Sequence, residues 1–230
     1  MAMTTSPNSF ADNEVANEED VALVAHHLDD IRRRLGTSTA AVLAVTKTYG
    51  DRAISAALSA GVSGLGENYA TELAAKADRW PHAPWHFIGN LQSRQIAVVA
   101  SSAQVISGVA RLKEIDRLAV LGYRGLIDLQ VDVTGQPQRH GAPVEDIPGL
   151  LEAAIERGLQ VRGLMTVADP VDPERGFRAT RLLADSLGLE GCSMGMSDDF
   201  EVAADCGSTE IRVGSLLFGR RNPRHAGDLT

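Results

Sequence analysis

The sequence predicts an α/β fold, a single (β/α)8 TIM barrel, and three observations carry that reading. From residue 41 onward one unit repeats: a short apolar run, a Gly or polar turn, then an amphipathic helical stretch that often ends at glycine. The runs are apolar on both sides, as in Ala41-Val42-Leu43-Ala44-Val45, which suits a parallel sheet covered by helices. Eight such units fit within 230 residues, and barrels of this kind begin at about 200 residues. A doubly wound open sheet has the same alternation and is the alternative; the strand count favours the barrel.

Residues 1–17 read as a disordered tail, followed by one domain over 18–230. Asn17 before Glu18, Glu19 and Asp20 is an N-cap with an acidic first turn, and Arg32, Arg33, Arg34 and Gly36 mark the matching end. Val24, Leu28, Ile31 and Leu35 recur at helical spacing, so this extra N-terminal helix must pack one face on the rest. Strands are expected at 41–46, 64–66, 85–88, 105–107, 126–133, 161–167, 191–194 and 210–213. Helices are expected near 51–60, 69–79, 93–100, 110–121, 145–157, 174–187 and 198–205, several closed by Gly61, Gly122, Gly158 or Gly188. The polar loop 134–143 is long enough to cover one rim.

Composition narrows the function classes. Hydrophobic residues are 44% and charged residues 23%, ordinary globular usage, which excludes a disordered, collagen-like or disulfide-scaffold chain. A net charge of -8 argues against a non-specific grip on nucleic acid or on an anionic membrane. Cys192 and Cys206 show no CxxC or zinc-ligand spacing and read as reduced, structural thiols. The polar start lacks a signal peptide, and no stretch reaches the about 18 apolar residues of a spanning helix, so a cytoplasmic location is expected.

Lys47 ends the first apolar run and so sits at the carboxyl end of strand one, the rim that carries barrel active sites. A lysine partly desolvated there has a lowered pKa and a nucleophilic amine; the alternative is a lysine snorkelling at a strand end. Two glycine turns, Ser193-Met194-Gly195-Met196-Ser197 and Arg212-Val213-Gly214-Ser215, follow strands seven and eight, where barrels bind phosphate. Ser193, Ser197 and Ser215 offer hydroxyl donors, although Gly and Ser also serve ordinary turns. Arg212 lies within an apolar strand and needs a partner, either a carboxylate such as Asp132 or an acceptor on a ligand. Glu67, Asn68 and His86 add polar groups near the same mouth, with Glu67 equally able to pair with a neighbouring cation, Asn68 also readable as a helix cap and His86 as a core histidine. Met165 and Met194 are soft apolar walls for an aromatic ring, or core. No Walker loop, HExxH, nucleophile elbow or Rossmann fingerprint is present.

Six ordered blocks complete the pattern: Ala44-Val45-Thr46-Lys47-Thr48, Gly66-Glu67-Asn68-Tyr69, Trp85-His86-Phe87-Ile88-Gly89 with Leu91-Gln92-Ser93, Gly163-Leu164-Met165-Thr166, Ser193 to Ser197, and Gly207-Ser208-Thr209 leading to Arg212-Val213-Gly214 and Phe218-Gly219. Over residues 20–221 the chain resembles the pyridoxal 5′-phosphate homeostasis proteins, relatives of the alanine racemase barrel. The resemblance implies a fold-type III barrel with pyridoxal phosphate held as a Schiff base on Lys47. It implies phosphate on the two turns, through Ser193, Ser197, Gly214 and Ser215, and Arg212 facing the pyridine nitrogen. Asn68, His86, Met165 and Met194 complete the expected cofactor-binding set, without a catalytic residue or a metal. The chain departs from the usual pattern at Asn90, at Arg94-Gln95 and at Arg139-His140, where proline, Asn-Lys and lysine are common in the family.

The function implied is a non-catalytic holder of the cofactor that helps vitamin B6 homeostasis and delivery, with apo-enzymes as candidate partners and an indirect effect on amino-acid metabolism. The alternative is an amino-acid racemase using Lys47. Racemisation needs a second acid–base group on the opposite face, which the racemase relatives take from a C-terminal domain. Here the eight units are expected to consume the chain, leaving only 222–230 after them.

Overall fold

A computed structural model describes residues 14–135 and 140–219. Helix α1 (Glu18–Arg34) precedes an alternating series: β1 (Ala41–Val45), α2 (Asp51–Ala60), β2 (Gly64–Glu67), α3 (Ala70–Arg79), β3 (Trp85–Phe87), α4 (Ile96–Ser102), β4 (Val105–Val109) and α5 (Leu112–Val120). It continues through β5 (Leu126–Asp132), the two-residue β6 (Ala142–Pro143), α6 (Ile147–Glu156), β7 (Gln160–Met165), α7 (Pro173–Ser186), β8 (Gly191–Ser193), α8 (Phe200–Asp205), β9 (Glu210–Val213) and α9 (Ser215–Phe218).

All strand pairings are parallel, in the order β4-β3-β2-β1-β9-β8-β7-β5, and the extra pairing of β4 with β5 closes the ring. Closure removes the open-sheet alternative and leaves no exposed edge in the ring. The predicted units are all present, with ends shifted by a few residues. The short elements β6 and α9 were not anticipated, since neither is long enough to show a period.

Side chains alternate between lumen and shell. Val42, Ala44, Leu65, Phe87, Ile106, Leu129, Leu164, Ile211 and Val213 face outward and merge with Leu73, Ile96, Ile115, Phe177, Phe200 and Leu217 of the helices in one buried layer. Inside, Leu43 lies against the glycines of β2: a Cβ at Gly64 or Gly66 would sit 3.0 or 3.1 Å from its methyls. Those small residues give the branched side chain its room.

Helix α1 begins as expected, with a reciprocal cap in which Asn17 and Asp20 accept from each other's backbone N–H. Its face of Val24, Leu28 and Ile31 is buried against α2 and α9. The segment expected to be a disordered tail through residue 17 is ordered at its end, where Ala16 N–H donates to Ser55 Oγ at 2.7 Å; residues 1–13 lie outside the described residues. Gly61 ends α2 in the left-handed conformation at φ 82°, a position a Cβ disfavours.

Candidate functional site

The rim at the carboxyl ends of the strands gathers three of the predicted features. Lys47 follows β1 by two residues and is half-buried. Gly214, after β9, abuts the same strand end: a Cβ there would meet the Val45 carbonyl oxygen at 2.9 Å. The turn after β8 comes alongside, so that Ser215 Oγ and Ser197 Oγ lie 3.1 Å apart. Gly195 makes that turn possible, with φ 94° and a position whose Cβ would fall 2.6 Å from the Ala203 Cβ. Asp199 already takes the Met196 N–H at 2.6 Å, which leaves the two hydroxyls and the remaining turn backbone to face an anion.

Arg212 lies inside the barrel, buried, and its guanidinium reaches the same rim. Nη1 donates to the Ser193 carbonyl at 2.5 Å and to Ser193 Oγ at 3.0 Å, and Nη2 donates to the Thr166 carbonyl at 2.7 Å. Burial pushes its pKa below the ordinary value, but a guanidinium keeps its charge. The expected carboxylate partner Asp132 is engaged elsewhere, accepting from Thr134 N–H and Oγ1. Carbonyl oxygens at two strand ends therefore fix the guanidinium, and the Asp132 pairing is corrected.

Asn68, just after β2, has a buried Oδ1 without a hydrogen-bond partner among the described residues. The capping alternative fails because Tyr69 holds the N-cap position of α3 with no side-chain cap bond. Its backbone sits hard against Gly89, where a Cβ would be 2.1 Å from the Asn68 carbonyl. Met165 ends β7 in register with Ser193 and Gln130 on the lumen side. Gln130 Nε2 donates to the His140 carbonyl at 3.1 Å, tying the far end of the long loop to β5; within that loop, 136–139, including Arg139, lie outside the described residues.

Three expected residues are not part of this rim. Met194 points outward into the buried shell with Cys192, Phe200 and Ile211, so it is core and not a cofactor wall. Ser193 is the last residue of β8 and is buried; its hydroxyl donates to Glu210 at 2.8 Å and accepts from Arg212, so it orients the arginine and does not line the turn. His86 points low into the lumen, with Nδ1 3.5 Å from Glu210 and Nε2 3.1 Å from the place of a Gly64 Cβ. Burial lowers its pKa, with Glu210 opposing. Around it, Arg162 donates to Asp128 and Glu210, and Ser107 donates to Asp128 at 2.7 Å. That buried cluster had no signal in the sequence beyond isolated charged residues within apolar runs.

Of the readings open to Glu67, the pairing with a neighbouring cation is the one found, behind the wall that carries Lys47; the cation, Lys76, is not singled out by the sequence. Glu67 ends β2 facing outward, and Lys76 of α3 donates to it, to Glu72 and to the Thr46 carbonyl, each at 2.7 Å. Thr46 Oγ1 donates to Glu67 at 2.6 Å, and Glu72 accepts the Thr48 N–H at 2.6 Å. Burial pushes Glu67 up to about 7; the Lys76 ammonium opposes the rise and Glu72 adds to it. The folded state then binds more protons than the unfolded chain between the ordinary value of 4.5 and about 7, so stability falls as the pH rises through that window. Glu67→Gln is expected to flatten this decline, read from urea midpoints across the window; a slope unchanged by the substitution would exclude Glu67 as its source.

Among the described residues no group of three His, Cys, Asp or Glu side chains is placed to hold a metal ion, and no helix is long and apolar enough to cross a membrane. Cys192 and Cys206 are buried free thiols, and burial pushes Cys192 up to about 11.

Comparison with known proteins follows the same outline. A family model described as "Alanine racemase, N-terminal domain" matches residues 20–222. A protein of Pseudomonas aeruginosa called pyridoxal phosphate homeostasis protein is 37% identical over 219 residues, spanning 89% of this chain and 95% of that one. The structure of PipY from Synechococcus elongatus with pyridoxal phosphate bound is 29% identical, with a TM-score of 0.77, covering 85% of this chain and all of that one. Alanine racemase of Corynebacterium glutamicum shares the fold at 19% identity and a TM-score of 0.66, and this chain covers 60% of its length.

Proposed function

The chain belongs to the pyridoxal phosphate homeostasis protein family, built on the alanine racemase N-terminal domain, and from that premise we propose that it binds pyridoxal phosphate reversibly through Lys47 as a holder and not as a catalyst. The observation that carries the reading is the convergence of Lys47, Gly214, Ser197 and Ser215 on one rim, with the two hydroxyls 3.1 Å apart.

The residues fit the group. Bound pyridoxal phosphate supplies an aldehyde for covalent attachment and a dianionic tail. Lys47 offers the amine at the strand end. Ser197 and Ser215 would donate to the phosphate from turns whose glycines leave no side chain in the way. Arg212 has five N–H donors and three hydrogen bonds to protein, so its fork retains capacity for a ring-nitrogen acceptor. The unpartnered Asn68 Oδ1 and Met165 lie beside the same mouth.

A guanidinium held by carbonyls gives up no proton to the ring, which supports holding over carbanion chemistry. The likeness to named homeostasis proteins spans nearly their full length, whereas the racemase chain extends well beyond the shared barrel. Vitamin B6 delivery to apo-enzymes, and through it an indirect effect on amino-acid metabolism, is the role this reading supports.

The test mixes the protein with pyridoxal phosphate, removes the free vitamer by gel filtration, and records the visible spectrum and racemisation of alanine and other amino acids. Retained colour without turnover is expected. Colourless protein would reject binding, and turnover that depends on Lys47 would make it an enzyme. A charge-assisted hydrogen bond contributes about 1.5 kcal/mol, so Ser215→Ala is expected to weaken binding about tenfold by equilibrium dialysis. An unchanged Kd would remove Ser215 from the phosphate site.

A further inference from the structure

Thr48 is the one non-glycine among the described residues with positive φ, at 65°, and it directly follows Lys47. A threonine enters that left-handed region only when its surroundings hold it there. What holds it is Glu72, which accepts its N–H, and Glu72 is in turn fixed by Lys76. On the other side of Lys47, the Thr46 carbonyl accepts from the same Lys76 ammonium and the Thr46 hydroxyl donates to Glu67.

All three ammonium protons of Lys76 therefore have acceptors, and one cation ties down the backbone before Lys47 and, through Glu72, the backbone after it. Lys76 is 3% exposed and Glu67 fully buried. A buried ion pair is no better for stability than well-packed apolar residues of the same volume. Fold stability alone does not account for charges at this one stretch of wall.

We propose that Lys76, Glu67 and Glu72 are positioning residues for Lys47, holding the Thr46–Thr48 backbone in the conformation that presents the amine at the rim and so setting how fast bound pyridoxal phosphate is released. The inference rests on the binding reading above. None of the three is a catalytic residue, since each acts through the backbone on either side of Lys47.

The test loads the full chain with pyridoxal phosphate and follows transfer to excess semicarbazide, together with the visible spectrum of the loaded protein. Glu72→Ala removes the acceptor for Thr48 N–H, whereas Glu72→Gln keeps an acceptor oxygen. Supporting groups around a ligating side chain typically matter by tenfold or more, so Glu72→Ala is expected to release the vitamer about tenfold faster with an altered band, and Glu72→Gln to stay close to wild type. The pair Lys76→Met with Glu67→Gln removes the cation and one buried carboxylate charge together, and is expected to behave like Glu72→Ala.

A wild-type rate and spectrum in Glu72→Ala overturn the inference, as does equally fast release from Glu72→Ala and Glu72→Gln, which would leave no role for the acceptor. Wild-type protein that takes up no pyridoxal phosphate overturns the binding reading, and the inference with it. Uptake by the wild type with unchanged release in the variants overturns the inference alone.

Discussion

Lys47→Ala is expected to leave the folded protein unable to hold pyridoxal phosphate covalently, with complete loss of the visible band and of any adduct fixed at that position by borohydride reduction. The side chain is half-buried at the rim. Residual, non-covalent binding through Ser197, Ser215 and Arg212 should persist and wash out on gel filtration. Lys47→Arg separates charge from nucleophilicity: a guanidinium stays protonated and cannot condense with an aldehyde, so it too should be colourless. A band retained in either variant would mean that another amine carries the cofactor.

Arg162→Met is expected to cost about 3–5 kcal/mol of stability, the usual effect of removing one partner from a buried ion cluster. Arg162 bridges Asp128 and Glu210, each nearly inaccessible to water, with Nε to Asp128 at 2.9 Å and Nη1 to Glu210 at 2.9 Å. Without it two carboxylates face each other in the lumen, with the hydroxyls of Ser107 and Ser193, His86 and the more distant charge of Arg212 left beside them. At about 2–4 °C per kcal/mol for a chain of this size, the melting temperature should fall by about 10 °C.

The pH response gives the sign. Burial alone would raise the Glu210 pKa, but the hydrogen bonds and charge of Arg162 outweigh it and leave the carboxyl below its ordinary value. A depressed pKa contributes stability above the unfolded value and loses it as the pH falls through the folded one. In Arg162→Met the same carboxyl becomes a buried acid with a raised pKa, so the gap between variant and wild type should narrow on acidification. Urea midpoints that match wild type at neutral pH, or a gap that widens in acid, would refute the role assigned to Arg162.

A strand buried on both faces reads plainly where, as in β1, both the lumen and the helix side are apolar and the run is apolar throughout. Lys47 was legible for a related reason, since a charge that ends an apolar run marks the strand end. Gly195 and Gly214 were legible as turns, and their serines do meet. The direction in which each strand residue faces was not legible. A one-residue slip reverses it, and the bulge between Ile127 and Asp128 brings Arg162 to the lumen out of turn. Met194 was misassigned for that reason, whereas Ser193 and His86 do face the lumen and it was their depth and partners that could not be read. The partners of Arg162 lie 34 and 48 residues away, beyond any local pattern. Glu72 and Lys76 left a trace, their i,i+4 spacing on α3, but on the sequence alone such a pair reads as helix surface.

The pairing of β1 with β9 joins the first strand to the last among the described residues. A ligand that links Lys47 to the turn after β9 therefore staples the barrel across a seam between early and late segments. Since a ligand that favours the native form adds to its stability with occupancy, a molecule that has just handed over its vitamer would be the one most open to proteases at that junction.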